Sequence, residues 1–371
     1  MKKVVFICEA LGGGVRRHLV DVLSHLDLNK YEVHVIHGSK RVDDVFRSAK
    51  NNLAKQGIHF YEVTEMVREL SIKNDVAAAK AIVKILRDLK PQVVHCHSSK
   101  AGAIGRIAAR ICGIKEVYYT PHAYVFQNPN LSSKKKFVYK GIEKLLGFLT
   151  TKTIHVSKGE EAFALKNKVI PLNKSVVVYN GISAPTQSHS SIQEFEEKVV
   201  VGTIARMDYQ KNPWLFIRIA EQVIKETENV EFVYIGDGEY YKDVFDYVKQ
   251  NNLDKFIKLK GFHSNPDIEL MNFDVFLSTS LYEGMPYSLI EALSYKKPIV
   301  ATDVVGNNEI VIDSYNGYLF NKDDGKEGAT KILDIIREAN LYGTLSKNSF
   351  KSYEDNFQIN KMISSMEQLY S

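Results

Sequence analysis

Short β-branched runs alternate with segments of helical period from the first residues almost to the last, and this alternation constrains the fold most. Residues 4–7, 32–36, 59–63, 92–95, 117–120, 153–156 and 176–179 read as strands, and segments such as 76–89 carry apolar residues at helical spacing. Strand–helix alternation predicts a parallel sheet covered by helices on both faces. The pattern breaks at 183–191, a polar stretch with Pro185 and no periodicity. It resumes with strands at 198–205, 230–235, 256–259, 275–278 and 299–302. The expectation is two doubly wound α/β domains, 1–182 and 198–352, joined by a linker at 183–197, a division that suits 371 residues.

Two classes are set aside by composition. With 44% apolar and 25% charged residues the chain is neither disordered nor collagenous, and no apolar run reaches the ~18 residues of a membrane span. Cys8, Cys96 and Cys112 make no disulfide framework and suit a reducing compartment. The basic start at Lys2 and Lys3 leads into an apolar run too short for a signal peptide, so it is read as the first strand of a cytosolic domain.

Several motifs fall at strand ends. Gly12-Gly13-Gly14 follows the first strand and opens a helix, where backbone and helix N-terminus suit an anion. Arg17 stands where a dinucleotide fingerprint needs its third glycine, and no P-loop is present, so the loop is either a phosphate or substrate site or a plain tight turn. His95-Cys96-His97 ends the fourth strand. It lacks spaced metal partners, so a cleft lining by His97 and Ser99 is preferred to zinc. His122, after Pro121, is a structural hydrogen-bonder or a site residue.

The second half is more specific. Arg206 offers a planar fork and Lys211 a point charge on one strand-to-helix loop, a pair suited to a diphosphate, although the stretch standing alone reads equally as two solvated cations. Gly236-Asp237-Gly238 permits close backbone approach. In the stretch Tyr282-Glu283-Gly284-Met285-Pro286-Tyr287-Ser288-Leu289-Ile290-Glu291, one glutamate sits in a loop and the other in a helix starting near Pro286, whose first amides are free for an anion.

In this order and spacing these motifs resemble the retaining nucleotide-sugar glycosyltransferases of family four, as found in bacterial capsule and exopolysaccharide synthesis. The likeness extends to Asn180-Gly181-Ile182 and covers nearly the whole chain. The resemblance implies the GT-B fold, two Rossmann-like domains facing across a cleft, the first for the acceptor and the second for the nucleotide-sugar. It implies a last helix, here 353–371, crossing back to the first domain. It further implies that Arg206 and Lys211 grip the donor diphosphate and that Glu291 holds the ribose. Glu283 binds a sugar hydroxyl in preference to acting as nucleophile, and His122 contacts the sugar near the reacting carbon. The amides of Gly14, Gly284, Met285 and Tyr287 are placed near phosphates or sugar, with Pro286 shaping that turn and Gly236 and Gly238 on the donor side. No cofactor and no divalent metal are expected, in keeping with the absence of any Asp-x-Asp. Two departures are Ala205, where glycine often precedes the arginine, and Ser183, where aspartate often follows the Asn-Gly-Ile.

The net charge of +5 conceals an asymmetry. Residues 1–185 hold 30 Lys+Arg and 15 Asp+Glu, a balance of +15, and the remainder holds 19 and 29, a balance of −10. A basic first domain faces something anionic. Residues 132–148, with Lys134, Lys135, Lys136, Lys140 and Lys144, read as a basic amphipathic helix, its apolar stripe packed on the sheet and its lysines toward an anionic membrane. Arg16 and Arg17 are expected on the acceptor side, with Arg106 and Arg110 adding to the field. No nucleic-acid module is recognised. The expected function is transfer from a UDP-sugar, with UDP-N-acetylhexosamine a candidate, to a lipid-linked saccharide at the inner face of the cytoplasmic membrane. The alternatives are a sugar-nucleotide 2-epimerase or hydrolase, or a catalytically silent nucleotide-sugar-binding subunit.

Overall fold

A computed structural model describes residues 1–67, 69, 71–185, 198–263 and 267–371. It forms two compact units, Met1–Asn180 with Ile359–Ser371, and Gly181–Gln358. Residues 186–197 of the expected linker lie outside the described residues.

The first unit runs β1 (Lys2–Cys8), α1 (Gly13–His25), β2 (Tyr31–His37), α2 (Asp44–Lys55), β3 (His59–Glu62), α3 (Ile72–Leu89), β4 (Val93–His97), α4 (Ser99–Ile111), β5 (Glu116–Thr120), α5 (Ser133–Leu149), β6 (Lys152–His155), α6 (Lys158–Lys166) and β7 (Ser175–Val177). All its strands are parallel, in the order 3-2-1-4-5-6-7. The second unit runs β8 (Val199–Ile204), α7 (Pro213–Glu226), β9 (Val230–Ile235), α8 (Tyr241–Gln250), β10 (Ile257–Gly261), α9 (Asp267–Met271), β11 (Val275–Ser278), α10 (Tyr287–Ser294), β12 (Ile299–Thr302), α11 (Asn307–Ile310), β13 (Gly317–Phe320), α12 (Gly325–Arg337) and α13 (Ala339–Asn356). Its sheet is also parallel, ordered 10-9-8-11-12-13. In each sheet the strand order reverses beside the first strand, which opens a crevice at the carboxyl edge.

The period of two along β1 places Val4, Phe6 and Cys8 in one core with α1, and Val5 and Ile7 in another with α3 and α4. The first core is completed by α14 (Ile359–Tyr370) through Met362, Met366 and Tyr370. The helical segment expected from residue 353 is two helices. Tyr353 lies within α13, where its hydroxyl donates to the Ile182 carbonyl at 3.2 Å, and Gln358 is extended to pair with Ile182. That extended residue ends α13 and frees α14 to begin at Ile359.

Helix α5 faces the other way from expectation. Its buried edge is Glu143, Leu146 and Gly147, while Phe137, Leu145 and Phe148 are 80%, 69% and 73% exposed. The cause is the partner beneath. Arg106 of α4 is buried, with its guanidinium 2.8 Å from Glu143 Oε2 and stacked 3.8 Å over the Tyr119 ring, whose hydroxyl donates to Glu143 Oε1. This pair holds the narrow edge of α5 against the unit, so the apolar stripe turns outward. It also corrects the expectation for Arg106, which is neutralised inside the unit and adds nothing to the surface field. Arg110 is spent on the carbonyls of Leu149, Ile114 and Lys115.

Candidate active site

In the second unit the loops after β8 and β11 meet at the switch point. Met207 is buried and anchors the first loop. Asp208 turns it, its Oδ1 accepting from the Lys211 amide at 3.1 Å and its Oδ2 lying 2.9 Å from Arg206 Nη2. The loops are joined by Thr279 Oγ1, which donates to the Lys211 carbonyl at 2.9 Å, and by the Leu281 amide, which donates to Gln210 O at 2.8 Å. This bracing brings Lys211 Nζ to 2.5 Å from Glu283 Oε1. Gln210 connects the charges, its Oε1 accepting from Arg206 Nη2 and its Nε2 donating to Glu283 Oε2, both at 3.4 Å. Glu283 is only 6% exposed, whereas the Arg206 side chain is 64% exposed. A buried carboxylate therefore holds one cation in place, and the second projects into solvent.

Two glycines shape this cluster. At Gly236, φ +142, a β-carbon would fall 1.8 Å from the Ala205 carbonyl oxygen, so the backbone that approaches closely is that of the arginine loop. Gly238 meets Met207 O in the same way. At Gly306, φ +88, a β-carbon would fall 2.6 Å from Gly284 O and 3.0 Å from Glu283 Cβ. Gly284, Met285 and Pro286 lead into α10, with Pro286 at its N-cap and Tyr287 its first residue, and Glu291 stands one turn further in, half-buried.

In the first unit, Gly12 caps α1 and Gly14 lies in its first turn, just after β1, which pairs with β4. Arg16 is 2.9 Å from Asp43 and Arg17 2.8 Å from Asp21, so both expected acceptor-side cations carry carboxylate partners. His97 Nδ1 lies 3.1 Å from His122 Nε2 with the rings stacked. His18, one turn into α1, packs edge-on against His122 and donates from Nδ1 to Asn180 Oδ1 at 3.0 Å. Ser99 starts α4 and hydrogen-bonds with Tyr119. The strand period points Cys96 into the core beneath α3 and α4, and His95 toward Thr120 and Tyr370 at 2.8 and 2.6 Å. The His-Cys-His run is therefore no metal site. Among the described residues, the trio able to hold a metal ion is His18, His97 and His122, with ring nitrogens within 4.8 Å of one another. No carboxylate joins that group to offset a dication.

Sequence reasoning missed His18, Gln210 and Gly306. His18 lies four residues after Gly14, on the face of α1 turned to the sheet, which is the signal that could have found it. Gln210 and Gly306 act through tertiary approach and leave none.

Burial lowers the ring pKa of His18 and His155 from 6.5 to about 4, and holds those of His95, His97 and His122 well below 6.5. The unfolded chain therefore takes up protons first as pH falls below about 6.5. The stability these neutral rings supply is complete above that pH, and the part due to His18 and His155 is lost by about pH 4. On moving from pH 7 to pH 5, His18 and His155 are each expected to withdraw about 2 kcal/mol. Urea unfolding at the two pH values checks this, and an unchanged midpoint would contradict it.

Two parallel doubly wound units, each with its motif loops at the switch point, define the GT-B class of glycosyltransferase. Residues 12–184 match the family model for Glycosyltransferase Family 4, and residues 186–352 that for Glycosyl transferases group 1. The chain belongs to the family-four glycosyltransferases. It is 29% identical over 325 residues, 84% of each chain, to the Escherichia coli UDP-Gal:alpha-D-GlcNAc-diphosphoundecaprenol alpha-1,3-galactosyltransferase. It is 24% identical over 367 residues to the Staphylococcus aureus capsular polysaccharide biosynthesis glycosyltransferase CapM, covering 95% of this chain and 96% of the relative. Among solved structures, Anabaena HepE in complex with UDP and glucose superposes with a TM-score of 0.82 at 19% identity, covering all of both chains.

Proposed function

We propose that this glycosyltransferase moves a sugar from a UDP-sugar to a hydroxyl of a lipid-linked saccharide in cell-surface polysaccharide synthesis, with retention at the anomeric carbon and without a divalent metal. The observation that carries this reading is the Arg206–Gln210–Lys211–Glu283 cluster. As the bond from the anomeric carbon to the diphosphate oxygen breaks, negative charge grows on the leaving group. Lys211, held by Glu283, and the fork of Arg206 stabilise that charge as preorganised cations, the work a metal ion does elsewhere. The acceptor hydroxyl attacks from the face the diphosphate leaves and gives its proton to a diphosphate oxygen, so configuration is kept. Glu283 accepts from a sugar hydroxyl, Glu291 from the ribose, and His122 serves the donor sugar. The names of the Escherichia coli and Staphylococcus relatives support a UDP donor, a diphosphoundecaprenol-linked acceptor and a capsule-type product.

The chain's own surface supports a membrane-borne acceptor. Beside the five lysines of α5 lie its exposed Phe137, Leu145 and Phe148. No helix among the described residues is long and apolar enough to cross a membrane. An amphipathic helix of this kind lies in the plane of an anionic bilayer, apolar side chains inserted and lysines at the headgroups.

A panel of UDP-sugars, UDP-N-acetylhexosamines included, with undecaprenyl-diphosphate-linked acceptors tests the reaction. Proton NMR of the product is expected to show the donor's anomeric configuration, and EDTA is expected to leave the rate unchanged. An inverted product, or loss in EDTA reversed by Mg²⁺ or Mn²⁺, overturns the reading. UDP release independent of acceptor identifies the epimerase or hydrolase instead, and donor binding without turnover identifies the silent subunit.

A further inference from the structure

The turn that carries His122 is strained and is tied by a buried carboxylate. His122 and Ala123 are consecutive left-handed residues, φ +55 and +78. Side chains bearing a β-carbon rarely adopt that conformation, and two in succession persist only where the surroundings enforce it. The Ala123 amide donates to Glu160 Oε1 at 2.6 Å, and the other carboxylate oxygen, Oε2, accepts from the Val156 amide at 3.0 Å. Glu160 is fully buried in the first turn of α6, where the helix N-terminus favours its negative charge.

The spacing explains why this glutamate is unusual. Ser157 caps α6 by accepting from the Glu160 amide at 3.0 Å, so Ser157 and Glu160 stand at the two positions of a capping box. In such a box the glutamate reaches back to the amide of the capping residue. Here it reaches one residue further back, to Val156 at the end of β6, and sideways to the turn after neighbouring β5. One carboxylate thereby ties the start of α6 to the turn that presents the His122 ring to His97 and His18.

We propose that Glu160 is a positioning residue for His122. The inference rests on the reading of His122 as a group that serves the donor sugar. Two amides converge on two oxygens, so a neutral isostere cannot replace the carboxylate. In Glu160→Gln one of the amides would face an NH₂ group, donor against donor. Aspartate is one methylene too short to reach both.

A double-mutant cycle tests it. Glu160→Gln is expected to lower kcat about 30-fold with the donor KM changed less than threefold. In a His122→Ala background the same change is expected to cost less than threefold, because the group it positions is gone. Ala123→Gly in the Glu160→Gln protein is expected to restore part of kcat, since glycine takes positive φ without strain. A loss in the His122→Ala background as large as in the native one overturns the proposal, as does a Glu160→Gln enzyme of native kcat. His122→Ala with native turnover overturns the underlying reading as well, which separates the two failures. Where Glu160→Gln yields too little folded protein, Glu160→Asp carries the same cycle, and hydrogen exchange in residues 121–126 is expected to accelerate selectively. Unchanged exchange there overturns the proposal.

Discussion

Lys211→Ala is expected to lower turnover by about 10²–10³-fold, the usual loss when one fixed stabiliser of developing charge is removed. The same substitution leaves Glu283, buried against Gly306, without its cation. An uncompensated buried charge costs about 3–5 kcal/mol, so the melting temperature is expected to fall too. Adding Glu283→Gln is expected to recover most of that stability and none of the turnover. Arg206→Ala behaves differently, because its side chain is mostly in solvent and its partner Asp208 is on the same loop. A surface ion pair contributes about 0–1 kcal/mol, so the fold stays as stable while turnover falls by a similar factor. Calorimetry and steady-state kinetics on the four proteins separate the effects, and near-native turnover in either single variant refutes the diphosphate role.

The second large effect concerns α5, where apolar and electrostatic contributions can be told apart. Full burial of a large apolar side chain yields about 1.5–3 kcal/mol, so even half-insertion of Phe137, Leu145 and Phe148 amounts to roughly 3–4 kcal/mol, a partition change of about 10²–10³-fold. A lysine near an anionic surface contributes about 1 kcal/mol, so Lys134, Lys135 and Lys136 together account for about 10²-fold. Serine at the three apolar positions is therefore expected to abolish flotation with both neutral and anionic liposomes. Glutamine at the three lysines is expected to remove only the preference for anionic vesicles, and salt to mimic it. If neither triple variant changes flotation, α5 does not dock.

What was legible in the sequence differs between levels for physical reasons. Strand–helix alternation needs only local period, and it placed the strands of both sheets except β13, whose run from Gly317 to Phe320 is short and opens on glycine. The period of α5 was equally readable, but not which side it turns inward. That depends on Arg106 and Glu143 pairing across 37 positions of chain, with a buried ion pair replacing the apolar contact that amphipathicity suggests. Arg206, Lys211 and Glu283 stood out as candidate ligand groups through the order and spacing of their motifs, since charged side chains on one loop alone are as well explained by solvation. Their mutual contact depends on the β8–β11 loops meeting, as does Gly236, whose close approach proved to be to the arginine loop. His122 stood out by its position after a strand. The strain of its turn did not, because Ala123 carries no mark of a left-handed backbone.

The return of α14 has a consequence for how the polypeptide is made. Tyr370 is buried in the core of the first unit, its hydroxyl 2.6 Å from His95 Nδ1, and its carbonyl accepts from Lys2 Nζ at 2.6 Å. The domain synthesised first is thus finished last. At ~5–20 residues per second, the roughly 180 residues of Gly181–Gln358 occupy the ribosome for about 10–35 s while β1 and β4 lie open where α14 will dock. During that interval the sides of Phe6 and His95 that meet Tyr370 face either solvent or a chaperone, and a nascent chain stalled in the second unit carries a sheet with its last helix missing.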